Sequence, residues 1–466
     1  MLRYNKVDEN ILSGLKKIVG DKHVFTDPEK LDIYKTDEES NPRYHRLPEA
    51  VVFPGSTAEV AEIMKLANQL LFPVTPRCGG TSLCGGAIPV RGGIVLALER
   101  MNRIKEINEQ SFYMTVECGA RTEDIQKAAN AKGMLYAGDP CSSDSCLIGG
   151  NLATNAGGNK AVRYGTTRHQ VHDIEVVTPR GDIVTLGARL NKKTTGYCLE
   201  QLIIGSEGTL GIITGATLKL TPLPACRMDL LAIFTDADKA IDVVPKIIKA
   251  GINPTSIEFM ANDAVQSTAR FCDLKLAHFS DGNYVIVTVE SFSEDELESK
   301  IALLDEICSD SGACEVLEAD ERVWRLRKAY SESARSESKV QSHEDIVVPV
   351  DCVAMMLKKV NELGKKYDLQ VRTAAHAGDG NIHVVPLKME MGDKEWEDTM
   401  DRFHEEVYTY VYSIGGRLSG EHGIGCKKIE EMERFTDPVE MQMMKDIKKA
   451  LDPNLVLNPG KIFRLD

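Results

Sequence analysis

Two histidines flank a glycine-rich turn late in this 466-residue chain, and paired imidazoles can bind a metal ion or move a proton. The segment is HAGDGNIH, residues 376–383, which begins with His376 and ends with His383. The two glycines and the aspartate between them are strong turn formers, and the apolar residues that follow are typical of a strand. The sequence therefore predicts that both imidazole rings are held over one point.

A carboxylate that would complete a metal site occurs 38 positions after His383, in a second glycine-flanked turn. This turn is GEHGIG, residues 420–425, and it carries Glu421 and His422 side by side. Two neutral imidazoles and one carboxylate suit zinc, iron(II) or manganese(II) and leave open positions for a substrate oxygen. His422, if it is not itself a ligand, is then a candidate base.

Spacing alone does not establish a metal site, because two histidines seven residues apart match none of the common zinc-binding spacings. Ten histidines in a chain of this length also allow chance proximity, so ordinary packing histidines remain an alternative. The setting favours chemistry, since these imidazoles and the carboxylate lie in glycine-flanked turns. Side chains in such turns are exposed on loops, where functional residues concentrate.

Length and composition predict two or three domains, each with its own hydrophobic core. Hydrophobic residues make up 42% of the chain and charged residues 27%, which excludes a largely disordered protein. No apolar run approaches the ~20 residues of a membrane span, and the N-terminus lacks the apolar core of a signal peptide, so we expect a cytoplasmic protein. The net charge of −14 argues against a nucleic-acid partner, because phosphate backbones require clustered lysine and arginine.

The twelve cysteines are scattered and form no CxxC pair, which argues against a structural zinc ribbon or an iron-sulfur cluster. In a cytoplasmic protein we expect reduced and mostly buried thiols. Four cysteines lie in glycine- and serine-rich loops, where a thiol can be exposed and reactive: Cys78, Cys84, Cys141 and Cys146.

Three segments rich in small residues predict a phosphate-binding site. The first is RCGGTSLCGG, residues 77–86, whose glycines let backbone N–H groups approach a pyrophosphate without a Cβ in the way. It matches neither the Walker nor the Rossmann spacing. The second is IGGNLATNAGGN, residues 148–159, followed by RYGTT at 163–167, and the third is GSEGTLG at 205–211. Together they indicate one long ligand bound along the domain, and three unrelated surface turns are the alternative.

The remaining pattern mixes helices and strands. Residues 8–20 are typical of an amphipathic helix, and Ser56 with Glu59 forms a capping box for a helix through Leu71. From Met228 onward two βαβ-like units predict a ferredoxin-like sheet. Its predicted strands are 230–235, 256–260, 284–290 and 314–318, and its predicted helices are 237–250 and one opened by Ser293. A basic helix at 322–335 and a strand at 345–350 are predicted to follow.

Taken together these motifs resemble the flavin-binding fold shared by vanillyl-alcohol oxidase and p-cresol methylhydroxylase. More narrowly, the chain resembles the FAD-linked 2-hydroxy-acid dehydrogenases of the glycolate oxidase, D-lactate dehydrogenase and D-2-hydroxyglutarate dehydrogenase group. The resemblance spans residues 49–463, and the glycine-rich segments, the paired-histidine turn, the Glu-His-Gly turn and the closing NPGK at 458–461 occur in the family's order.

The resemblance implies an α+β fold with a two-part FAD-binding domain of the vanillyl-alcohol oxidase type and a ferredoxin-like substrate (cap) domain. We expect an N-terminal helical segment at residues 1–47, the FAD-binding domain at 48–225, the substrate domain with the metal site at 226–450, and a tail at 451–466 returning towards the flavin.

The resemblance also implies residue roles. The pyrophosphate would lie on Gly79, Gly80, Thr81, Ser82 and Gly85, and FAD would be bound non-covalently, because relatives with a covalent link carry histidine where this chain has Thr81. The full set of residues implied at FAD is Pro76, Arg77, Cys78, Gly79, Gly80, Thr81, Ser82, Gly85, Pro140, Gly149, Gly150, Asn151, Thr154, Asn155, Gly157, Gly158, Tyr164, Gly165, Glu207, Gly208, Gly211, Ile212 and Asn458. The implied ligands of a divalent metal (zinc, iron or manganese) are His376, His383 and Glu421, the implied catalytic base is His422, and Arg327 would bind the substrate carboxylate.

The implied reaction is oxidation of a small 2-hydroxy acid to the 2-oxo acid. His343 corresponds to a lysine that helps bind the dicarboxylic substrate in 2-hydroxyglutarate enzymes, which favours a monocarboxylate such as lactate, in the D-form. Electrons would pass to an external acceptor such as an electron-transferring flavoprotein, because no NAD loop, haem motif or cysteine cluster is present. The alternatives are a glycolate or D-2-hydroxyglutarate dehydrogenase, a non-catalytic flavin subunit of a larger oxidase complex, and a metal-dependent hydrolase without flavin.

Overall fold

A computed structural model of the chain describes residues 4–39 and 41–465. The β-strands in this part of the chain are β1 (Val24–Phe25), β2 (Ala50–Val52), β3 (Val74–Arg77), β4 (Ile94–Ala97), β5 (Ile104–Asn108), β6 (Tyr113–Glu117), β7 (Met134–Leu135), β8 (Val171–Val177), β9 (Ile183–Gly187), β10 (Ile212–Lys219), β11 (Thr221–Pro222), β12 (Cys226–Phe234), β13 (Ser256–Met260), β14 (Asn283–Ser291), β15 (Glu315–Glu318), β16 (Glu344–Val347), β17 (Gln370–His376) and β18 (Asn381–Leu387). The α-helices are α1 (Glu9–Val19), α2 (Pro28–Ile33), α3 (Thr57–Leu70), α4 (Thr122–Asn130), α5 (Ile148–Thr154), α6 (Ala161–Tyr164), α7 (Leu199–Ile203), α8 (Ala237–Lys249), α9 (Asn262–Cys272), α10 (Glu294–Asp310), α11 (Glu321–Lys328), α12 (Tyr330–Glu337), α13 (Val353–Lys366), α14 (Asp393–Ser413), α15 (Ile429–Phe435) and α16 (Pro438–Leu451).

The chain divides into two compact units, each built from separate stretches of sequence. The first unit comprises the described residues up to Gly157, Thr166–Leu223, and the residues from His422 onward. The second comprises Gly158–Gly165 and Pro224–Glu421. Residues 422–450, which the sequence assigns to the substrate domain, are thus grouped with the first unit.

A buried lysine shows why the C-terminal helix belongs to the first unit. Lys448 on α16 donates from its Nζ to the carbonyl oxygens of Thr209 and Leu457, at 2.7 and 2.8 Å. Its ammonium also pairs with Asp452 at 2.6 Å, which balances the buried charge. These three bonds join α16 to the third glycine-rich segment and to the C-terminal tail.

The first unit contains a four-stranded sheet of order β1-β2-β4-β3 and a five-stranded antiparallel sheet of order β5-β6-β10-β8-β9. Helices α1 and α3 pack their apolar faces into the core of the smaller sheet. Helix α3 begins at the capping box that the sequence predicts. The Ser56 hydroxyl accepts a hydrogen bond from the Glu59 N–H at 3.2 Å, and the Glu59 carboxylate accepts one from the Gly55 N–H at 2.7 Å.

The second unit is built on a seven-stranded antiparallel sheet of order β15-β12-β14-β13-β17-β18-β16. Its first four strands along the chain lie in the order fourth, first, third, second, which is the ferredoxin-like arrangement. The expected α+β fold is confirmed. The sheet continues through β17, β18 and β16, an extension that the sequence pattern does not predict.

Two local predictions need correction. Residues 148–154 form the helix α5 and not a loop, and the basic helix predicted over residues 322–335 is two helices that meet at Ala329. Over residues 4–39 and 41–465, every helix is too short or too polar to span a bilayer.

Candidate functional site

The paired histidines lie at the end of one strand and near the start of the next. His376 is the last residue of β17 and His383 is the third of β18, and the two strands pair in register with His376 opposite Asn381. The intervening turn requires glycine at Gly380, whose φ is +84° and where a Cβ would overlap the Val348 carbonyl oxygen. This geometry brings the imidazole centroids to 5.1 Å, with the rings at 89° to each other.

Glu421 joins the two histidines. Its Oε1 lies 3.1 Å from His383 Nε2 and 3.4 Å from His376 Nε2. Burial raises the pKa of this carboxyl, but the two imidazoles outweigh burial and hold the pKa well below its usual value. The three residues predicted as ligands thus meet at one point of the second unit.

The spacing of these donor atoms fits a metal ion. Ligand atoms at ~2.1 Å from a tetrahedral ion lie about 3.4 Å from one another, close to the separations around Glu421 Oε1. Ligand atoms of His383, Glu421 and Asp345 all lie within 4.8 Å of one another. Two imidazole nitrogens with carboxylate oxygens form a donor set suited to zinc, iron(II) or manganese(II).

Asp345 supports Glu421 and was not singled out from the sequence. Its Oδ2 accepts hydrogen bonds from the backbone N–H groups of Gly420 and Glu421, at 3.0 and 2.9 Å, and from the Ser419 hydroxyl at 2.7 Å. Its Oδ1 accepts from Asn381 Nδ2 at 2.6 Å. These four donors make Asp345 the anchor of the turn that carries Glu421. Asp345 could have been found from its place directly before an apolar run, because a carboxylate that is buried with such a run requires polar partners.

Glu258 and Arg327 lie on the other side of His376. The carboxylate of Glu258 accepts hydrogen bonds from His376 Nδ1 at 2.8 Å and from Arg327 Nε at 2.9 Å, and it forms an ion pair with Arg327 Nη2 at 2.8 Å. Burial raises the pKa of Glu258, but His376 and Arg327 together bring it below its usual value. Arg327, predicted to meet a substrate carboxylate, is therefore engaged with a carboxylate of the protein itself. Glu258, like Asp345, was not singled out from the sequence.

One further titratable residue lies in the turn between the paired histidines. Burial raises the pKa of Asp379, in the turn, to about 6, with His376 opposing the shift and Glu421 and Glu258 adding to it. His422, the predicted base, is the next residue after Glu421, is partly buried, and is grouped with the first unit.

The first glycine-rich segment follows β3, which ends at Arg77. A Cβ on Gly79 would lie 2.9 Å from the backbone oxygen of Ser145, and a Cβ on Gly80, at φ +69°, would overlap the Arg77 guanidinium. A Cβ on Gly149 of α5 would lie 2.9 Å from Cys78 Sγ. The first two segments therefore touch, and the contact needs glycine at Gly149.

The third segment and the C-terminal tail complete the cluster. The Glu207 N–H donates to the Ala153 carbonyl at 2.8 Å, and the Asn458 side-chain amide donates to the Glu207 carbonyl at 2.7 Å. A Cβ on Gly208 would lie 2.9 Å from Pro76 Cγ. All three segments thus meet within the first unit. Glycine-rich backbone from three segments gathered in one unit can supply the N–H donors that a dinucleotide pyrophosphate requires, so the residues present fit FAD.

Several predicted cofactor residues make contacts with protein atoms that shape this cluster. The Glu207 carboxylate accepts from the N–H groups of Ile424 and Gly425, at 2.7 Å each. Asn151 donates to the Thr122 hydroxyl at 2.7 Å, and Asn155 accepts from the Arg168 N–H at 2.9 Å. The others in the first unit lie in or beside the same segments: Thr81, Ser82, Gly85, Pro140, Gly150, Thr154, Gly157, Gly211 and Ile212.

Three predicted cofactor residues are grouped with the second unit: Gly158, Tyr164 and Gly165. The Tyr164 hydroxyl donates to Glu290 Oε2 at 3.2 Å, and Arg163 beside it donates to the Thr255 hydroxyl at 3.2 Å. These bonds attach α6 to the sheet of the second unit.

Two family models match the chain. Residues 48–187 match a FAD binding domain, and residues 223–462 match the C-terminal domain of FAD linked oxidases. D-lactate dehydrogenase of Anaerostipes hadrus is 36% identical, covering 99% of this chain and 98% of the relative. Glycolate oxidase subunit GlcD of Bacillus subtilis is 34% identical over 93% and 92%, and D-2-hydroxyglutarate dehydrogenase of Stutzerimonas stutzeri is 32% identical over 98% and 99%.

Solved structures share the fold at lower identity. 4-Ethylphenol oxidase from Gulosibacter chungangensis superimposes with a TM-score of 0.81 at 19% identity, covering 99% of both chains. p-Cresol methylhydroxylase gives a TM-score of 0.81 at 17% identity, covering 97% of this chain and 96% of the other. These likenesses show the flavin-binding fold that the sequence motifs indicate.

Proposed function

The chain belongs to the FAD-linked oxidoreductases of the lactate, glycolate and 2-hydroxyglutarate dehydrogenase group, and from that premise we propose that it oxidises a small 2-hydroxy acid to the 2-oxo acid. The observation that carries this proposal is the convergence of His376, His383 and Glu421, with Glu421 Oε1 at 3.4 and 3.1 Å from the two imidazoles. A 2-hydroxy acid offers a hydroxyl and a carboxylate oxygen on adjacent carbons, which together can chelate the ion held there.

The proposed roles follow from the chemistry of each group. FAD, when bound to the cradle without a covalent bond, supplies the hydride acceptor, and the divalent cation, when bound, supplies a Lewis acid for the substrate oxygens. His422 takes the hydroxyl proton, because an imidazole is the side chain best suited to accept a proton at neutral pH. Arg327 binds the substrate carboxylate electrostatically while it remains paired with Glu258.

D-lactate is the proposed substrate. Two features support it: the similarity to D-lactate dehydrogenase over almost the whole chain, and the buried imidazole of His343, which the family resemblance matches to the substrate-binding lysine of 2-hydroxyglutarate enzymes. Electrons then pass to an external acceptor, for which an electron-transferring flavoprotein is proposed. The similarity to glycolate oxidase subunit GlcD makes glycolate the second candidate substrate.

Anaerobic reduction of the bound flavin tests the substrate, because it reports the first half-reaction without the acceptor. The purified, metal-loaded protein is mixed with D-lactate, L-lactate, glycolate or D-2-hydroxyglutarate, and loss of the oxidised-flavin absorbance is followed. We expect D-lactate to bleach the flavin fastest. Fastest bleaching by glycolate or D-2-hydroxyglutarate would identify that acid as the substrate in place of D-lactate. Absence of bleaching by all of the acids would contradict the proposed reaction.

A further inference from the structure

Glu258 is a charged residue in the middle of an apolar strand. It lies on β13, every residue of which is buried, and its own side chain is 0% exposed. Removing a carboxylate from water is costly unless charged or hydrogen-bonding partners replace the water. The contacts of this residue therefore indicate what it does.

Its two oxygens serve two different groups. Oε1 lies 2.8 Å from His376 Nδ1, and Oε2 lies 2.9 and 2.8 Å from Nε and Nη2 of Arg327. Glu258 and His376 are directly opposite each other in the pairing of β13 with β17, so the contact is built into the sheet register. One carboxylate thus joins an imidazole to a guanidinium that is only 4% exposed.

The contact with Nδ1 determines how His376 presents its other nitrogen. A carboxylate accepts hydrogen bonds, so when His376 is neutral, as a metal ligand must be, its single proton lies on Nδ1 towards Glu258 and Nε2 carries the lone pair. That Nε2 is the atom 3.4 Å from Glu421 Oε1. Glu258 therefore fixes the tautomer that ligation of a metal by Nε2 requires.

We propose that Glu258 is a positioning residue that couples two functions of this site, metal binding through His376 and binding of the substrate carboxylate by Arg327. Through Oε1 it orients His376 as a metal ligand, and through Oε2 it holds Arg327 and balances its buried positive charge. The part that concerns His376 rests on these contacts, whereas the part that concerns Arg327 rests on the proposed function. Loss of the carboxylate would weaken cation binding in two ways, by freeing the tautomer and by leaving a positive charge beside the site.

Glu258→Gln tests the coupling because it keeps the side-chain shape and removes the charge. Metal-free wild-type and variant proteins are titrated with zinc alone, and the dissociation constants are compared. We expect the constant to rise roughly 10 to 100-fold, the usual effect of removing a carboxylate behind a histidine ligand. FAD content should be unchanged, because the cradle segments belong to the first unit. In the metal-saturated enzyme, KM for the hydroxy acid should rise more than kcat falls.

Glu344→Gln is the matched control. Glu344 is buried on β16 of the same sheet, and its carboxylate contacts Ser342, His404 and Tyr408. None of these three is a predicted ligand. We expect this variant to lose stability and to keep the zinc affinity of the wild type.

The double variant Glu258→Gln/Arg327→Gln covers the case in which the single variant does not fold, since it leaves no unpaired buried charge. It should still bind zinc more weakly than the wild type, because His376 lacks its carboxylate. Wild-type zinc affinity in either folded variant, or a wild-type protein that takes up no zinc, would overturn the proposal. A chain that binds zinc as expected and is reduced by no hydroxy acid would overturn only the proposed function.

Discussion

At the scale of the residue, the two histidines of the candidate metal site differ in their support. His376 is held from behind by Glu258 at 2.8 Å, whereas His383 Nε2 lies 3.1 Å from both Asn381 Oδ1 and Glu421 Oε1. The imidazole of His376 is thus fixed before a ligand arrives.

The convergence of His376, His383 and Glu421 could be predicted from the sequence, because glycine-flanked turns mark where these residues stand. The supporting carboxylates could not. Glu258 lies inside an apolar strand and Asp345 stands directly before an apolar run, and the partners of both follow from which strands pair and in what register. Neither pairing is visible in the sequence without knowledge of the sheet order.

Substitutions can distinguish the proposed role of His422, as a base, from that of the proposed metal ligands. We predict that His422→Asn keeps both metal and FAD but slows reduction of the flavin by roughly 10² to 10⁴-fold, the usual contribution of a positioned general base. His383→Ala should lose metal and reduction together. Metal analysis and single-turnover reduction of the two purified proteins make the comparison.

Loss of metal in step with activity in His422→Asn would instead identify His422 as a ligand. Unchanged reduction with full metal would make it neither ligand nor base.

At the scale of the element, α5 shows how packing overrides local preference. Its sequence IGGNLAT contains two adjacent glycines, each of which disfavours a helix by about 1 kcal/mol relative to alanine, so the sequence predicts a loop. In the structure a Cβ on Gly149 would lie 2.7 Å from Cys118 Cβ. Glycine is therefore needed for close packing, and the long-range contact that decides this is not a property of the segment itself.

The first glycine-rich segment gives an element-scale prediction with a matched control. Gly80 and Gly133 have nearly the same backbone, with φ of +69° and +68°, but a Cβ on Gly80 would overlap the Arg77 guanidinium and one on Gly133 would meet nothing within 4 Å. Both substitutions by alanine carry the strain of a left-handed residue, of the order of 1 kcal/mol. We predict that only Gly80→Ala weakens FAD binding.

Arg77 cannot move away freely in that variant, because its Nη1 donates to the Thr36 carbonyl at 2.5 Å and its guanidinium lies over the Tyr34 ring. The measurement is the dissociation constant of FAD from the apoprotein, alongside thermal unfolding of both variants. Equal FAD affinity in the two variants would show that the segment does not form the cradle.

At the scale of the whole molecule, neither of the two units is one continuous stretch of the chain. The first unit gathers residues from both ends of the sequence, and the second takes Gly158–Gly165 from within the stretch that forms the first. The sequence pattern predicts α1, α3, α8 and α10, and the strands β12, β13, β14 and β15 in their ferredoxin-like arrangement. It does not predict that α15 and α16 return to the first unit, because that return depends on contacts such as those of Lys448.

The residues proposed to hold FAD and those proposed to hold the divalent cation belong to different units. The central claim is that substrate oxidation needs both FAD and the cation. The cradle segments belong to the first unit, and His376, His383 and Glu421 belong to the second. Removing the cation should therefore leave the flavin bound and still oxidised.

The most direct test is anaerobic single-turnover reduction of the bound flavin by the preferred acid, which we expect to be D-lactate. Protein stripped of divalent cations with a chelator is compared with the same sample after zinc or manganese is returned. We predict that the stripped protein retains FAD and is not bleached, and that the reloaded protein is bleached. Bleaching of the stripped protein at the reloaded rate would contradict the role assigned to His376, His383 and Glu421.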